Sequence, residues 1–205
     1  FAQRDPGISA VLVLLGVEGK LPTLAHHNLL MSRDWDADFA AVFDNPGSMQ
    51  ASRSIYVSKP SASDQTVAPE GCENLFIFIP VASNTSIGHG NAYRQEESPI
   101  VRTIASAAVR QIAEWANIPN LVDRVIIRRT IGPQDFEERY YSWQGGALGP
   151  SHTLTQSAFF RGKNISRRVI GLLYVGGTIA PGVGVPMCLI SAENILTRLG
   201  MPTTT

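Results

Sequence analysis

Gly171-Leu-Leu-Tyr-Val-Gly-Gly-Thr-Ile-Ala-Pro-Gly-Val-Gly-Val-Pro-Met-Cys-Leu-Ile-Ser191 runs from an apolar segment through glycines at 176, 177, 182 and 184 into a second apolar segment that starts at a proline. The short apolar run bounded by glycine predicts a buried strand over Leu172–Val175. The glycines predict an irregular loop over 176–185. Pro186, which has no N–H to lose, predicts the first turn of a helix reaching about Leu199, with Gly200 as its stop. Glycine lets a backbone approach a flat cofactor with no Cβ in the way. The free N–H groups at the following helix start carry partial positive charge. An ordinary strand–turn–helix unit with structural glycines would give the same pattern, and the residues alone leave both readings open.

Upstream, Ile8-Ser-Ala-Val-Leu-Val-Leu-Leu15 is a nearly continuous apolar run ending at Gly16, as in a buried strand. Ala25–Met31, Ser54–Ser58, Leu75–Val81 and Val125–Ile131 predict further strands. Trp35, Phe39, Val42 and Phe43 recur at helical spacing, giving a short amphipathic helix broken by Pro46-Gly47. The clearest helix starts at Ser98-Pro99, a cap followed by a first-turn proline. Ile100, Ile104, Ala108, Ile112 and Trp115 form its apolar stripe. Between Ala82 and Glu97 the Ser, Asn and Gly content predicts a surface loop. Gly132-Pro133 opens a short helix through Phe136 and Tyr140.

The 205 residues carry 17 basic and 17 acidic side chains, so no basic face advertises a nucleic-acid partner. No apolar run is long enough to cross a bilayer. Cys72 and Cys188 lack metal-ligand spacing, which favours a reducing cytoplasm over a disulfide framework. A chain that opens Phe1-Ala2-Gln3-Arg4 and reaches a strand by Ile8 reads as a fragment. His26 and His27, adjacent on a strand, face opposite sides and cannot chelate one metal together. Asp34 with Asp36, and Glu137 with Glu138, read as solvated or capping charges. Ser151-His152 has no nucleophile-elbow context. Arg161, Lys163, Arg167 and Arg168 read as a solvated basic loop, with acidic lipid headgroups as the alternative. Tyr140, Tyr141, Trp143, Phe159 and Phe160 read as core first and pocket second.

The glycine segment, together with Gly132-Pro-Gln-Asp-Phe136, Gly145-Gly-Ala-Leu-Gly149 and Thr155-Gln-Ser-Ala-Phe-Phe-Arg161, resembles phytoene desaturases and their carotenoid-desaturase relatives. The resemblance extends upstream to Ala25-His-His-Asn28, Ser32-Arg-Asp34, Ser54-Ile-Tyr-Val57, Ala68-Pro-Glu-Gly71 and Asn74-Leu-Phe76. One departure is Ile179-Ala180, where many relatives carry Thr-His before the proline.

The resemblance implies an α+β (α/β) chain forming the C-terminal portion of an FAD-dependent enzyme that dehydrogenates a polyene hydrocarbon. Residues 1–155 would be a mostly antiparallel substrate-binding sheet with covering helices. Residues 156–205 would be the strand-loop-helix that returns to a Rossmann-like FAD-binding domain. Gly176, Gly177, Thr178, Pro181, Gly182, Val185, Pro186 and Met187 are the implied FAD contacts. A reduced flavin, anionic on its pyrimidine side, suits the helix start. Trp143, Phe159 and Phe160 are the candidate substrate contacts, and no catalytic acid or base is assigned. The glycine fingerprint and ribose carboxylate of a dinucleotide site are missing; Gly16-x-x-Gly19 and Gly88-His89-Gly90 do not fit that context. The FAD site is therefore expected to be incomplete, with the upstream half of the enzyme as a partner. A substrate drawn from a bilayer implies a cytoplasmic protein attached peripherally to the membrane surface. A carotenoid isomerase, a ketolase, a retinol saturase or a non-catalytic domain fragment are the alternatives.

Overall fold

The apolar run at Ile8 forms β1 (Ile8–Glu18), which pairs antiparallel with β4 (Cys72–Ala82) over eleven residues, from Ile8↔Ala82 to Glu18↔Cys72. A computed structural model describes residues 4–201, apart from 45, 46, 48, 95, 158 and 159. The chain divides into two compact units, one of residues 8–147 and one of residues 1–7 with 148–205.

In the larger unit β2 (His27–Leu30), β3 (Ile55–Ser58), β4, β1 and β5 (Val125–Ile131) form one five-stranded sheet in the order β2-β3-β4-β1-β5, with every neighbour antiparallel. Strand side chains alternate, so each strand offers two different faces. Val11, Val13, Leu15 and Val17 join Ile55, Val57, Leu75, Ile77, Ile79 and Val81 on the covered face. Helix α2 (Pro99–Trp115) closes that face with Val101, Ile104, Ala105, Ala108, Val109 and Ile112. The expected mixed α+β class and mostly antiparallel sheet are present.

Several local expectations change. β1 does not stop at Gly16: the strand continues to Glu18, with a register shift against β5 at Gly16/Val17. Only one of its faces is covered along its whole length: on the other, Ala10 is buried, Leu12 half-buried and Leu14 exposed. Ser98 stands at the N-cap of α2 but makes no side-chain cap; its Oγ accepts the His89 N–H at 3.0 Å. The short helix α1 (Trp35–Phe39) passes into a π-turn over Ala40–Asp44, which shifts the helical register. Trp35, Phe39 and Phe43 then stack on one another and stay exposed, while Ala41 and Val42 are buried. Pro46 lies outside the described residues.

The segment expected to be a surface loop, 82–97, is exposed at Ser86, Tyr93, Arg94 and Glu96 but reaches into the interior at Ile87, Gly88, Gly90 and Glu97. Ile87 is fully buried, and the buried Glu97 carboxylate accepts from Arg128 Nη2 at 2.7 Å and from the Thr130 hydroxyl. A Cβ on Gly90 would sit 1.9 Å from the Thr130 carbonyl oxygen, so only glycine allows that approach. The N–H of Gly90 and that of Gly132 both donate to buried Asp135, at 2.6 and 2.8 Å. Helix α3 (Pro133–Tyr140) begins there.

Ile77→Ala, on the covered face, should lower the unfolding free energy in urea by about 2–5 kcal/mol. Ile127→Ala, on the uncovered face where Ile127 is 55% exposed, should cost at most about 1 kcal/mol. Equal losses would contradict the one-sided core.

Candidate functional site

The smaller unit is built around the glycine segment, and its helix forms as expected. Helix α4 (Val185–Arg198) begins one residue before Pro186, with Gly184 as N-cap at φ 117° and no side-chain cap. Gly200, at φ 71°, follows its end. The loop over 176–184 is irregular and contains a cis Ala180–Pro181 bond.

The expected strand is absent. Residues 172–175 make a single bridge, Leu173 to Ile165, and Tyr174 donates its N–H to the Asn164 carbonyl at 2.8 Å. A strand is stabilised by a ladder with a neighbour, and no neighbouring strand stands beside this run among the described residues. Tyr174 and Val175 are correspondingly exposed.

Two buried side chains, neither singled out as a site residue, hold the loop. Arg161 is 3% exposed, so it does not belong to a solvated basic loop. Its Nη2 donates to the Gly177 carbonyl at 2.6 Å, its Nε to the Ile179 carbonyl at 3.2 Å, and its Nη1 to the Pro150 carbonyl at 3.4 Å. The guanidinium carries donors only, so His152 Nε2, 3.3 Å from Nη1, accepts. Burial holds the Arg161 pKa below the usual guanidinium value, with a smaller push from Arg4 in the same direction. The second anchor is Asn164, whose Nδ2 is shared among the Tyr174 carbonyl, the Ala180 carbonyl and Ser191 Oγ at 3.0–3.2 Å. Fully buried Ser191 also accepts the Gly176 N–H at 3.1 Å. A lone Arg and a lone Asn carry no pattern that separates them from surface residues. The only available clue was their place just after the aromatic pair and ahead of the glycines.

The implied cofactor residues fall into two groups. Thr178, Val185, Pro186 and Met187 are exposed, with half-buried Gly176 and Gly177 beside them in sequence. A Cβ on Gly176 would meet nothing within 4 Å, and one on Gly184 only the edge of Met187. These two glycines thus leave open space above the backbone. Gly182 is buried instead, and a Cβ there would lie 3.5 Å from His152 Nε2; Pro181 is half-buried. An uncapped helix start beside open glycines fits the electron-rich edge of a planar ring.

The aromatic group is not core. Tyr141, left-handed at φ 52° past the end of α3, is 92% exposed, and Tyr140 and Phe160 are also exposed. Half-buried Trp143 lies in the larger unit, whereas Phe160 lies in the smaller one, and Phe159 is outside the described residues. His26 precedes β2 and its ring lies 4.3 Å from that of His27, so the two do not face opposite sides, but each takes its own partner, Ser63 Oγ at 2.7 Å and Tyr56 Oη at 2.6 Å. Among the described residues no group of three or more His, Cys, Asp or Glu could hold a metal ion.

No family model matches the chain. Curated proteins do. A carotenoid 3,4-desaturase of Haloarcula japonica is 39% identical over 186 residues, 91% of this chain and 35% of that protein. A zeta-carotene-forming phytoene desaturase of Myxococcus xanthus is 31% identical over 93% of this chain and 35% of its own length. A 1-hydroxycarotenoid 3,4-desaturase of a Flavobacterium species is 30% identical over 93% of this chain and 37% of its own. The chain is a carotenoid-desaturase homologue. It spans a little over a third of the length of these relatives.

Asn164→Ala removes a donor that the Tyr174 and Ala180 carbonyls share and should cost about 1–3 kcal/mol. Hydrogen exchange at the Gly176 amide should accelerate in step with the loss. Unchanged protection there would show that Asn164 does not anchor the loop.

Proposed function

We propose that the chain is the C-terminal portion of an FAD-dependent carotenoid desaturase, with residues 8–147 contributing a substrate wall and residues 148–205 the ring-facing part of the cofactor site. The observation that carries the substrate half is the uncovered face of the sheet. Leu12, Leu14, Tyr56, Phe76, Phe78 and Ile131 share it through the strand register. A groove of about 440 Å³ runs along it, lined by Leu14, Gly16, Phe76 and Ile127 among others. Five strands about 4.8 Å apart give a wall roughly 19 Å across. A polyene has few polar handles, so apolar area must hold it, at about 25 cal/mol per Å² buried. An open, largely apolar sheet face suits that task.

For the cofactor half, the Val185 and Met187 amides at the start of α4 and the open backbone at Gly176 and Gly184 support one edge of a flavin. The chemistry that FAD held there would supply is acceptance of a hydride from one carbon of a saturated pair, while the neighbouring carbon releases a proton to solvent and the double bond forms between them. The residues of this chain orient the ring edge and keep the polyene face dry. Among the described residues no helix is long and apolar enough to cross a membrane. A substrate drawn from lipid favours work at a membrane surface on the cytoplasmic side.

The isolated chain, titrated with FAD while flavin fluorescence is followed, should show no saturable micromolar binding, because pyrophosphate recognition is the larger share of FAD affinity. Joined to the preceding two thirds of the Haloarcula japonica relative, it should yield a yellow protein that desaturates a carotenoid. In that protein Leu14→Arg or Phe76→Arg should cut turnover about tenfold or more, equivalent to losing ~1.4 kcal/mol of substrate binding, at unchanged flavin content. Full turnover by both variants would sink the substrate wall.

A further inference from the structure

Arg161 is a buried cation with no carboxylate within ion-pair distance among the described residues. A charge in that position is costly unless its surroundings use it. All its partners are acceptors: three main-chain carbonyls and one ring nitrogen. Two of the carbonyls, those of Gly177 and Ile179, flank Thr178.

The geometry of the peptide bond gives this arrangement a consequence. In a trans peptide the C=O and the following N–H point in opposite directions. Drawing the Ile179 carbonyl inward turns the Ala180 N–H the other way, where it donates to the Gly162 carbonyl at 2.8 Å. Drawing the Gly177 carbonyl inward likewise turns the Thr178 N–H away from Arg161. Thr178 is exposed, and its N–H donates to nothing among the described residues. The same guanidinium that fixes this peptide also polarises it.

We infer that Arg161 is a positioning residue for the cofactor: it holds the Gly177–Thr178 peptide so that the Thr178 N–H donates to an electron-rich edge of the flavin. Its uncompensated charge then favours the reduced, anionic ring over the oxidised one. The inference rests on the FAD reading above. It goes further by assigning ring recognition to one main-chain donor and the electrostatic bias to one side chain that does not touch the ring.

The test uses the joined protein described above, carrying Arg161→Lys or Arg161→Met, with flavin affinity and flavin reduction potential measured in each. Arg161→Met should weaken flavin binding about tenfold or more. It should also lower the two-electron potential by about 30 mV, which is a tenfold weaker preference for the reduced form. Arg161→Lys keeps the charge but not the fork, so it should restore most of the potential and only part of the affinity. A purely stabilising arginine would give folded variants that lose affinity alike while the potential stays at the wild-type value, and that result overturns the inference. Should Arg161→Met fail to fold, Arg161→Gln, neutral but still a hydrogen-bond donor, takes its place: a potential lowered by about 30 mV supports the inference, and a wild-type potential overturns it. A joined wild-type protein that binds no flavin overturns the FAD reading first, and this inference with it.

Discussion

The larger unit depends on the pairing of β1 with β4. Eleven residue pairs in unbroken register tie the beginning of that unit to its middle, and β1 then pairs with β5 on its other edge. Side-chain direction alternates every residue, so a slip of one would move Val11, Val13, Leu15 and Val17 off α2 and put Leu12, Leu14 and Gly16 in their place. The covered face is apolar through its centre, with buried Ser9, Glu73 and Thr130 at its margins, so that slip would be heavily penalised. One consequence is that the uncovered face is equally well defined. Its apolar row is fixed by the same register that builds the core.

Irregular segments of the larger unit are held by buried carboxylates. Asp135 gathers the N–H groups of Gly90 and Gly132, and Glu73 accepts the Leu21 N–H while pairing with buried Lys59 at 3.2 Å. Less buried Asp38 does the same at the surface, accepting from the Arg53 N–H and the Ser32 hydroxyl. Each stands where glycine or a tight turn leaves donors without a ladder partner, and a carboxylate can take two or more of them at once.

Strands and helices were legible wherever an apolar period ran long enough. The stripe at Ile104, Ala108 and Ile112 and the run at Leu75–Val81 both fold as their patterns require. Burial was less legible, because an unbroken apolar run such as Ile8–Leu15 reads as buried on both faces when one face is open. Polar composition at 82–97 concealed the parts that turn inward, Ile87, Gly90 and Glu97, since Ser, Asn and Gly mark solvent and internally paired turns equally. Leu172–Val175 has the residues of a strand but no ladder partner among the described residues, and sequence supplies propensity without the neighbour. The helix start at Pro186 was readable from proline chemistry alone. The anchors beneath the loop, Arg161 and Asn164, were not, because their role depends on which carbonyls a glycine loop turns toward them.

The two units therefore solve one problem with opposite charges. Residues 1–7 and 148–205 carry six basic side chains against two acidic ones, a net +4; residues 8–147 carry eleven against fifteen, a net −4. The neutral total hides this division. A buried carboxylate collects N–H groups and, through peptide geometry, leaves carbonyls facing away from it. A buried guanidinium or amide donor collects carbonyls and leaves N–H groups facing away. The sign of the buried anchor thus sets the polarity of the opposite surface of a loop. Glu73 and Asp135 lock turns whose remaining groups bond within the fold, so nothing further follows from their sign. Arg161 and Asn164 lock a glycine loop whose outward N–H at Thr178 is unspent, beside the uncapped start of α4. Three features of different origin, the cation, the peptide direction and the helix end, add in the same sense there, and that is the polarity the proposed flavin edge would require.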